Sequence, residues 1–236
     1  MTDLKGQCAI VTGGTKGIGY SIAEALIAEG ARVAICGRSE ATLSAAIRSL
    51  GTQGRIVGRP CDVGQWEQVK EFFSFVDREL GDVDILVNNA GVGHFGAVDE
   101  LAPELWREVI DTNLSGPFYC SNLAAARMKR RGGGFILNIG SLAGKYPFAT
   151  GAAYNASKFG LAGFTEAMML DLRHLNIRVS TIMPGSVQTG FRSEIEGAEW
   201  KLDPAAIAST AIHLFKTPGR NLASRVEMRP SRPRRK

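Results

Sequence analysis

The segment AAYNASKFG (152–160) places a phenol and an amine four residues apart, at Tyr154 and Lys158. On a helix, residues four apart lie on the same face, one turn from each other. An ammonium group favours the ionised form of a nearby phenol, so this pair has the composition of an acid–base site that gives or takes a proton. Polar pairs with this spacing are also common on exposed helix faces. The surrounding sequence must therefore decide between a proton donor and a surface pair.

A glycine-rich turn, TGGTKGIG (12–19), follows the first apolar run of the chain. Gly13, Gly17 and Gly19 have the spacing GxxxGxG, and the turn lacks the Gly-Lys-Ser/Thr sequence of a P-loop. Glycines allow a backbone to approach a pyrophosphate, and a helix that begins near Gly17 directs its unpaired N–H groups and positive dipole end to the same place. The turn predicts a dinucleotide phosphate site, although tight packing alone would also select glycine here.

The end of the second apolar run, ICGRSE, occupies the position where an NAD site carries an acid for the ribose 2′-hydroxyl. Gly37 and Arg38 stand there instead. An arginine pairs with a 2′-phosphate, whereas an acid would repel it, and Lys16 in the glycine turn adds a second positive charge. These residues predict NADP(H) as the coenzyme, the alternative being an Arg38 that only faces solvent.

Apolar runs alternate with amphipathic stretches along the whole chain, and the runs show no period-two alternation. Such runs are typical of parallel strands buried on both faces. The pattern predicts a single α/β domain over residues 1–236, a Rossmann-type doubly wound parallel sheet with helices on both faces and right-handed crossovers. The predicted strands are 7–13, 31–37, 54–62, 83–91, 133–141, 176–185 and 224–228. The predicted helices are 17–29, 40–50, 64–80, 103–131, 151–175 and 204–215.

The charge distribution argues against a nucleic-acid partner. The formal net charge is +5, but residues 225–236 hold six basic residues and one acid, so the rest of the chain is neutral. Residues 229–236 are interpreted as a basic tail in solvent. No apolar run is long enough to span a membrane, and the amino terminus lacks a secretory pattern. The four cysteines lack CxxC spacing, which favours reduced core thiols in a cytoplasmic protein, and no metal-ligand cluster is predicted.

Seven short motifs now occur in an order that resembles the short-chain dehydrogenase/reductase family over nearly the whole chain. They are TGGTKGIG (12–19), CDV (61–63), NNAG (88–91), Asn113, Ser141, YNASK (154–158) and PGSVQT (184–189). The resemblance implies that Tyr154 is the catalytic acid/base and that Lys158 supports it and binds the nicotinamide ribose. It further implies that Ser141 stabilises the substrate oxygen and that Asn113 holds a water that links Lys158 to solvent.

The resemblance also implies the coenzyme contacts. Asp62 is expected near the adenine amino group, Asn88 along the adenosine side, and Ile18 as a backbone donor to the pyrophosphate. The full set of expected coenzyme contacts is Gly13, Thr15, Lys16, Gly17, Ile18, Gly19, Arg38, Asp62, Val63, Asn88, Asn89, Ala90, Gly91, Tyr154, Lys158, Pro184, Gly185, Val187 and Thr189.

The substrate is expected to be a small carbonyl compound or alcohol. The apolar residues expected to line its pocket, together with His94, are Phe95, Leu142, Tyr146, Phe148, Phe191 and Trp200. The nearest branches are carbonyl reductases and 3-oxoacyl-carrier-protein reductases, and a protein that senses NADP(H) without catalysis is the further alternative. The family commonly forms tetramers or dimers, so a homo-oligomer is expected, with Gly160 on the catalytic helix facing a neighbouring subunit.

Overall fold

A computed structural model describes residues 3–190 and 198–233 and contains one seven-stranded parallel sheet. The strands are β1 (Cys8–Thr12), β2 (Arg32–Gly37), β3 (Ile56–Pro60), β4 (Ile85–Asn88), β5 (Gly134–Ile139), β6 (Ile177–Pro184) and β7 (Arg225–Met228). The helices are α1 (Gly17–Ala28), α2 (Glu40–Gly51), α3 (Trp66–Glu79), α4 (Pro103–Ile110), α5 (Gly116–Arg131), α6 (Ala152–Leu172) and α7 (Pro204–Lys216). The strand order β3-β2-β1-β4-β5-β6-β7 is that of a doubly wound sheet, which confirms the predicted fold class.

Side chains along each strand alternate between two separate cores. In β1, Ala9 and Val11 pack under α1, α2 and α7, whereas Cys8 and Ile10 pack on the other side with α3, α5 and α6. Both faces of the strand are covered, so both sets of side chains are apolar. This explains why the sequence reads as a continuous apolar run rather than an alternating one.

The predicted helix 103–131 is interrupted. Between α4 and α5, residues Asp111–Ser115 form a π-helical turn, which holds one extra residue and shifts the side chains that follow. Asn113 lies inside this turn, where its side chain bonds both the N–H and the C=O of Val92 at 2.8 and 2.9 Å. One buried amide, that of Asn113, therefore anchors the π turn to the segment after β4. The turn contains no proline or glycine, so its sequence gives no sign of the interruption.

Gly160 is half-buried and packs against its own chain, since a Cβ atom at this position would lie 2.8 Å from a methyl group of Leu114. Its expected contact with a neighbouring subunit stays a prediction. Phe118 on α5 and Phe159 on α6 are exposed.

All four cysteines, Cys8, Cys36, Cys61 and Cys120, are buried and free. Burial raises the pKa of the Cys8 thiol to about 12. Over the described ranges 3–190 and 198–233, the helices are too short or too polar to cross a membrane.

Candidate active site

The motif residues gather at the carboxyl ends of the central strands. The glycine turn follows β1, Arg38 follows β2, Asp62 follows β3, Asn89 follows β4, and Ser141 follows β5. In a parallel sheet these ends share one edge, and ligands bind outside it where the winding direction reverses. Here the reversal falls between β1 and β4, beside the glycine turn.

The glycine turn has no room for side chains. Gly13 and Gly17 adopt φ values of 63° and 57°, in the left-handed region that favours glycine. A Cβ atom on Gly19 would collide with the side-chain amide of Asn89 and with the carbonyl oxygen of Gly13. A Cβ on Gly17 would lie 3.1 Å from Thr189, so the segment after β6 lies against this turn.

Thr12 and Asn89 tie the turn to the end of β4. The Thr12 hydroxyl accepts hydrogen bonds from the backbone N–H groups of Asn89 and Ala90 at 3.0 and 3.1 Å. The Asn89 side-chain amide donates to the carbonyl oxygens of Thr12 and Gly13 at 2.9 and 3.1 Å. The Asn89 side chain therefore holds the turn in shape, a positioning role that the motif alone did not reveal.

The first turn of α1 fits an anionic ligand. Lys16, which precedes the helix, has an extended backbone, and within the described part of the chain no side chain caps this end. By contrast, Ser39 caps α2 by accepting from Thr42, and Asp203 caps α7 by accepting from Ala205. Uncapped N–H groups beside a glycine cradle suit the pyrophosphate of a dinucleotide.

The ribose selector position is crowded by the Thr15 side chain. A Cβ atom on Gly37 would lie 2.8 Å from the Thr15 methyl group, so an acid here would meet Thr15. Arg38 follows with a half-exposed side chain, and its guanidinium donates to Glu108 Oε1 at 2.8 Å. The second oxygen of Glu108 lies 2.8 Å from His94 Nε2. These contacts hold the pKa of Glu108 below its ordinary value, chiefly through Arg38 and then through His94.

The expected adenine side includes Asp62, Val63 and Asn88. The Asp62 carboxylate accepts from the backbone of Gly64 at 3.0 Å and borders a surface depression. The Val63 side chain is buried against Gly116, and the expected coenzyme contact of Val63 stays a prediction. The Asn88 side chain is buried as well, and its amide donates to Ser121 and Asn138 at 2.9 and 2.8 Å. This side-chain amide ties β4 to β5 and α5, and the expected coenzyme contact of Asn88 stays a prediction.

Tyr154 and Lys158 share one face of α6, as the spacing predicts. Lys158 is 6% exposed, its Nζ donates to the Ile139 carbonyl oxygen at 3.0 Å, and Nζ lies 5.7 Å from the centroid of the Tyr154 ring. Burial lowers the pKa of the Lys158 amine to about 8. Surface pairs carry no such burial cost, so the structure favours the acid–base interpretation over the surface pair.

Ser141 directly precedes a 3₁₀ turn at Leu142–Gly144, and its hydroxyl accepts from the Ala143 N–H at 3.1 Å. Asn155, between the two motif residues of α6, fixes the segment that follows. Its amide donates to the Ala143 carbonyl oxygen at 2.7 Å and its oxygen accepts from the Phe148 N–H at 3.3 Å. Ser157 similarly joins α6 to Asn113, whose amide donates to the Ser157 hydroxyl at 3.1 Å. Sequence reasoning missed Asn155 and Ser157; their position inside YNASK was the available signal.

The Asn113 side chain joins two segments of the protein. It is 1% exposed and bonds Val92 and Ser157, so it ties the segment after β4 to α6. The water expected at this residue stays a prediction.

The expected substrate wall is aromatic in part. The rings of Phe95 and Phe148 lie 5.7 and 6.5 Å from the Tyr154 ring. Tyr146 is half-exposed, and the cationic groups of Lys145 and Arg229, both paired with Glu227, lie 5.3 and 5.1 Å from its ring. His94 points to Glu108 instead of standing alone at the substrate side. Phe191 lies outside the described residues.

The segment after β6 carries the last motif. Pro184 ends β6, and the Gly185 N–H donates to the Met228 carbonyl oxygen at 2.8 Å. Val187 and Leu202 form an isolated parallel bridge, and Thr189 reaches the glycine turn. Pro230 also packs here, 3.3 Å from the position of a Cβ on Gly185. Of the predicted solvated tail 229–236, Arg229 and Pro230 contact Tyr146 and Gly185, whereas residues 231–233 are exposed.

The family model described as short chain dehydrogenase matches residues 7–200. The chain therefore belongs to the short-chain dehydrogenase/reductase family of oxidoreductases. All seven motifs lie within this matched range, and the strand order and glycine turn agree with it.

Among its relatives, the "NADP-dependent (R)-specific alcohol dehydrogenase" of Lentilactobacillus kefiri is 37% identical over 203 residues, covering 84% of this chain and 81% of the relative. A metagenomic short-chain oxidoreductase solved in complex with NADP is 35% identical, with a TM-score of 0.86 over 98% of this chain and 100% of that chain. A variant of actinorhodin polyketide ketoreductase, solved with NADPH, is 33% identical, with a TM-score of 0.88 over 96% of each chain.

Proposed function

We propose that this protein is an NADP(H)-dependent oxidoreductase that interconverts a carbonyl compound and the corresponding alcohol. The observation that carries the proposal is the buried Lys158 amine beside the Tyr154 ring, at the sheet edge that also bears the glycine turn. A buried amine beside a phenol is costly to maintain for stability alone and is suited to proton transfer.

The coenzyme site is built from three described features. The glycine turn and the uncapped end of α1 would hold the pyrophosphate, Asp62 the adenine, and Arg38 with Lys16 a ribose 2′-phosphate. The NADP-bound relatives, and the presence of Gly37 and Arg38 where an NAD site carries an acid, support NADP(H) over NAD(H). When bound, the nicotinamide supplies the hydride that the substrate carbon receives, or accepts it in the reverse direction.

The chain's own residues handle the proton. The Tyr154 hydroxyl gives a proton to the substrate oxygen in reduction and takes it back in oxidation. Lys158 stabilises the resulting phenolate by its charge. Because the Ser141 oxygen already accepts from Ala143, we assign its hydroxyl proton to the substrate oxygen, where it stabilises developing negative charge.

The substrate is an apolar carbonyl compound, since Phe95 and Phe148 flank Tyr154. A second candidate is a 3-oxoacyl thioester on an anionic carrier. It is favoured by the likeness to a polyketide ketoreductase. Lys145 and Arg229 lie near Tyr146, but both are paired with the carboxylate of Glu227 and add little free positive charge. The non-catalytic sensor is disfavoured, because Asn113, Ser141, Tyr154 and Lys158 are all present.

The experiment is a panel of ketones, aldehydes and 3-oxoacyl thioesters, with NADPH or NADH consumption as the readout. We expect NADPH turnover with at least one class, and Tyr154→Phe should lower kcat by about 10²–10⁴-fold while NADPH still binds. Tyr119→Phe, on α5 and packed against Trp66, is the matched control and should retain activity. Full activity of Tyr154→Phe would remove Tyr154 from the mechanism, and binding without turnover on any class would favour the sensor.

We also propose a homo-oligomer and a cytoplasmic location. The exposed Phe118, Phe159 and Leu170 on α5 and α6 supply an apolar surface for a second copy. Four buried free thiols suit a reducing compartment. Light scattering of the purified protein tests the first proposal, and a monodisperse monomer would contradict it.

A further inference from the structure

The Arg38–Glu108 pair joins two segments that are distant in the chain, at the edge of the expected coenzyme site. Arg38 directly follows β2, whereas Glu108 is on α4, 70 residues later. Glu108 also borders the depression lined by Asp62, Gly64 and other residues of the expected adenine side. The single arginine at the ribose selector position is thus already paired with a carboxylate.

We propose that Glu108 is a specificity-determining residue that weakens the binding of a 2′-phosphorylated coenzyme by competing with the 2′-phosphate for Arg38. The proposal rests on the proposed use of NADP(H). A 2′-phosphate that takes the Arg38 guanidinium must either displace the Glu108 carboxylate or share the guanidinium with it. Sharing places two anions side by side, so Glu108 opposes phosphate binding in both cases.

His94 gives the Glu108 carboxylate a second partner, which allows a 2′-phosphate to replace that carboxylate on Arg38. One oxygen of Glu108 faces Arg38 and the other lies 2.8 Å from His94 Nε2, so the carboxylate keeps a partner when Arg38 turns to a phosphate. The two contacts hold the pKa of Glu108 low, and the competing charge is therefore present throughout the neutral range. A coenzyme with a 2′-hydroxyl carries no charge there and does not need Arg38, so Glu108 acts selectively against the phosphorylated form.

The expected effect is moderate, because both side chains are partly exposed, 57% for Arg38 and 36% for Glu108. An exposed ion pair together with repulsion between neighbouring anions corresponds to a change in affinity of about 3- to 30-fold. Glu108→Gln preserves the size of the side chain and removes its charge, so it isolates the competition.

The test is calorimetric titration of the full chain with adenosine 2′,5′-bisphosphate and, separately, with adenosine 5′-monophosphate. We expect Glu108→Gln to bind the bisphosphate about 3- to 30-fold more tightly and the monophosphate within about twofold of the parent. Glu104→Gln is the matched control, since it removes the same charge from the same helix one turn earlier and borders the same depression. It should change bisphosphate affinity by less than about twofold.

The Arg38→Ala background separates the competing explanations. There, adding Glu108→Gln should no longer tighten bisphosphate binding, because the contested guanidinium is gone. Unchanged or weaker binding by Glu108→Gln, an equal gain in Glu104→Gln, or a gain that persists without Arg38 would each overturn the proposal. If the parent binds both nucleotides equally and Arg38→Ala changes neither affinity, the proposed use of NADP(H) fails instead.

Discussion

Two regions of this molecule are built in different ways: the coenzyme end, formed by the glycine turn 12–19 and Asn89, and the substrate rim, formed by residues 145–150 and the aromatic rings beside them. At the coenzyme end, Thr12, Gly19 and Asn89 fix the turn through hydrogen bonds and contacts too close for any added atom. At the rim, residues 145–150 are exposed, and aromatic rings and Asn155 hold them in place. One end demands specific residues, whereas the other tolerates many. This difference is what lets the same fold keep one coenzyme while its substrate varies.

The largest effect is expected at Lys158, because this residue is expected both to bind the nicotinamide ribose and to support Tyr154. Lys158→Met keeps the length and removes the charge, so turnover should fall by about 10²–10⁴-fold. The same variant should be more stable near pH 7, because burial of the ammonium costs up to ~3 kcal/mol given the lowered pKa of about 8. Loss of the donor to the Ile139 carbonyl reduces the net gain to ~1–3 kcal/mol.

The sign of the pH dependence follows from the lowered pKa of Lys158. Its ordinary value is 10.5, so between pH 8 and 10.5 the unfolded chain binds more protons at Lys158 than the folded chain does. The stability difference between Lys158→Met and the parent should therefore shrink as the pH rises through this range. The buried thiols contribute equally to both proteins and cancel. Urea unfolding of both proteins at pH 8 and at pH 10.5 measures this difference in unfolding free energy. A difference that does not change with pH would show that the pKa of Lys158 is not lowered in the folded state.

A smaller but sharp effect is expected at the coenzyme end. In Gly19→Ala the added methyl collides with Asn89 and the Gly13 carbonyl, so the turn must shift. We expect a loss of ~1–3 kcal/mol of stability and an NADPH affinity at least about tenfold weaker. Gly51→Ala, at the end of α2, is the control, since its Cβ would meet only Ile56 at an ordinary 3.7 Å. If titration with NADPH gave the same affinity for both variants, the glycine turn would not be too closely packed to accept a methyl group at Gly19.

The parts of the site that depend on local sequence could be predicted, whereas those that depend on contacts between distant segments could not. The glycine turn, Arg38 and the Tyr154–Lys158 pair rest on local backbone geometry or helical spacing, so their residue types reveal them. The π turn at Asp111–Ser115, the burial of the Asn88 side chain and the Arg38–Glu108 pair depend on contacts between segments distant in the chain. Local pattern carries no information about such contacts. Asn155 is an example: the sequence identifies the YNASK motif that contains it, but not its hydrogen bonds to Ala143 and Phe148.

At the rim, Phe148→Ala should alter substrate binding alone. Its ring lies 5.9 Å from Phe95 and 6.5 Å from Tyr154, so removing it opens one aromatic side of the pocket. A contribution of about 0.5–1.5 kcal/mol per aromatic contact predicts a rise of roughly 2- to 12-fold in KM for an aromatic ketone. The NADPH affinity should stay as in the parent, and acetaldehyde, which is too small to reach the ring, should keep its KM. A parallel change in NADPH affinity would show that the two regions are not independent.

The smallest effect is expected at the end of the chain, where the rim meets solvent. Arg229 lies 5.1 Å from the Tyr146 ring and donates to Glu227 at 3.1 Å, whereas residues 231–233 are exposed. Truncation after Pro230 removes charge but none of these contacts, so kcat and KM for a neutral ketone should stay within about twofold of the parent. Truncation after Met228 is the matched comparison, because it also removes Arg229 and the contact of Pro230 with Gly185. Only the second truncation should raise KM, since only it loosens Tyr146 and the segment after β6. If the shorter truncation already impairs turnover of the neutral ketone, the basic residues beyond Pro230 belong to the rim, and the boundary between fixed and variable regions lies further along the chain.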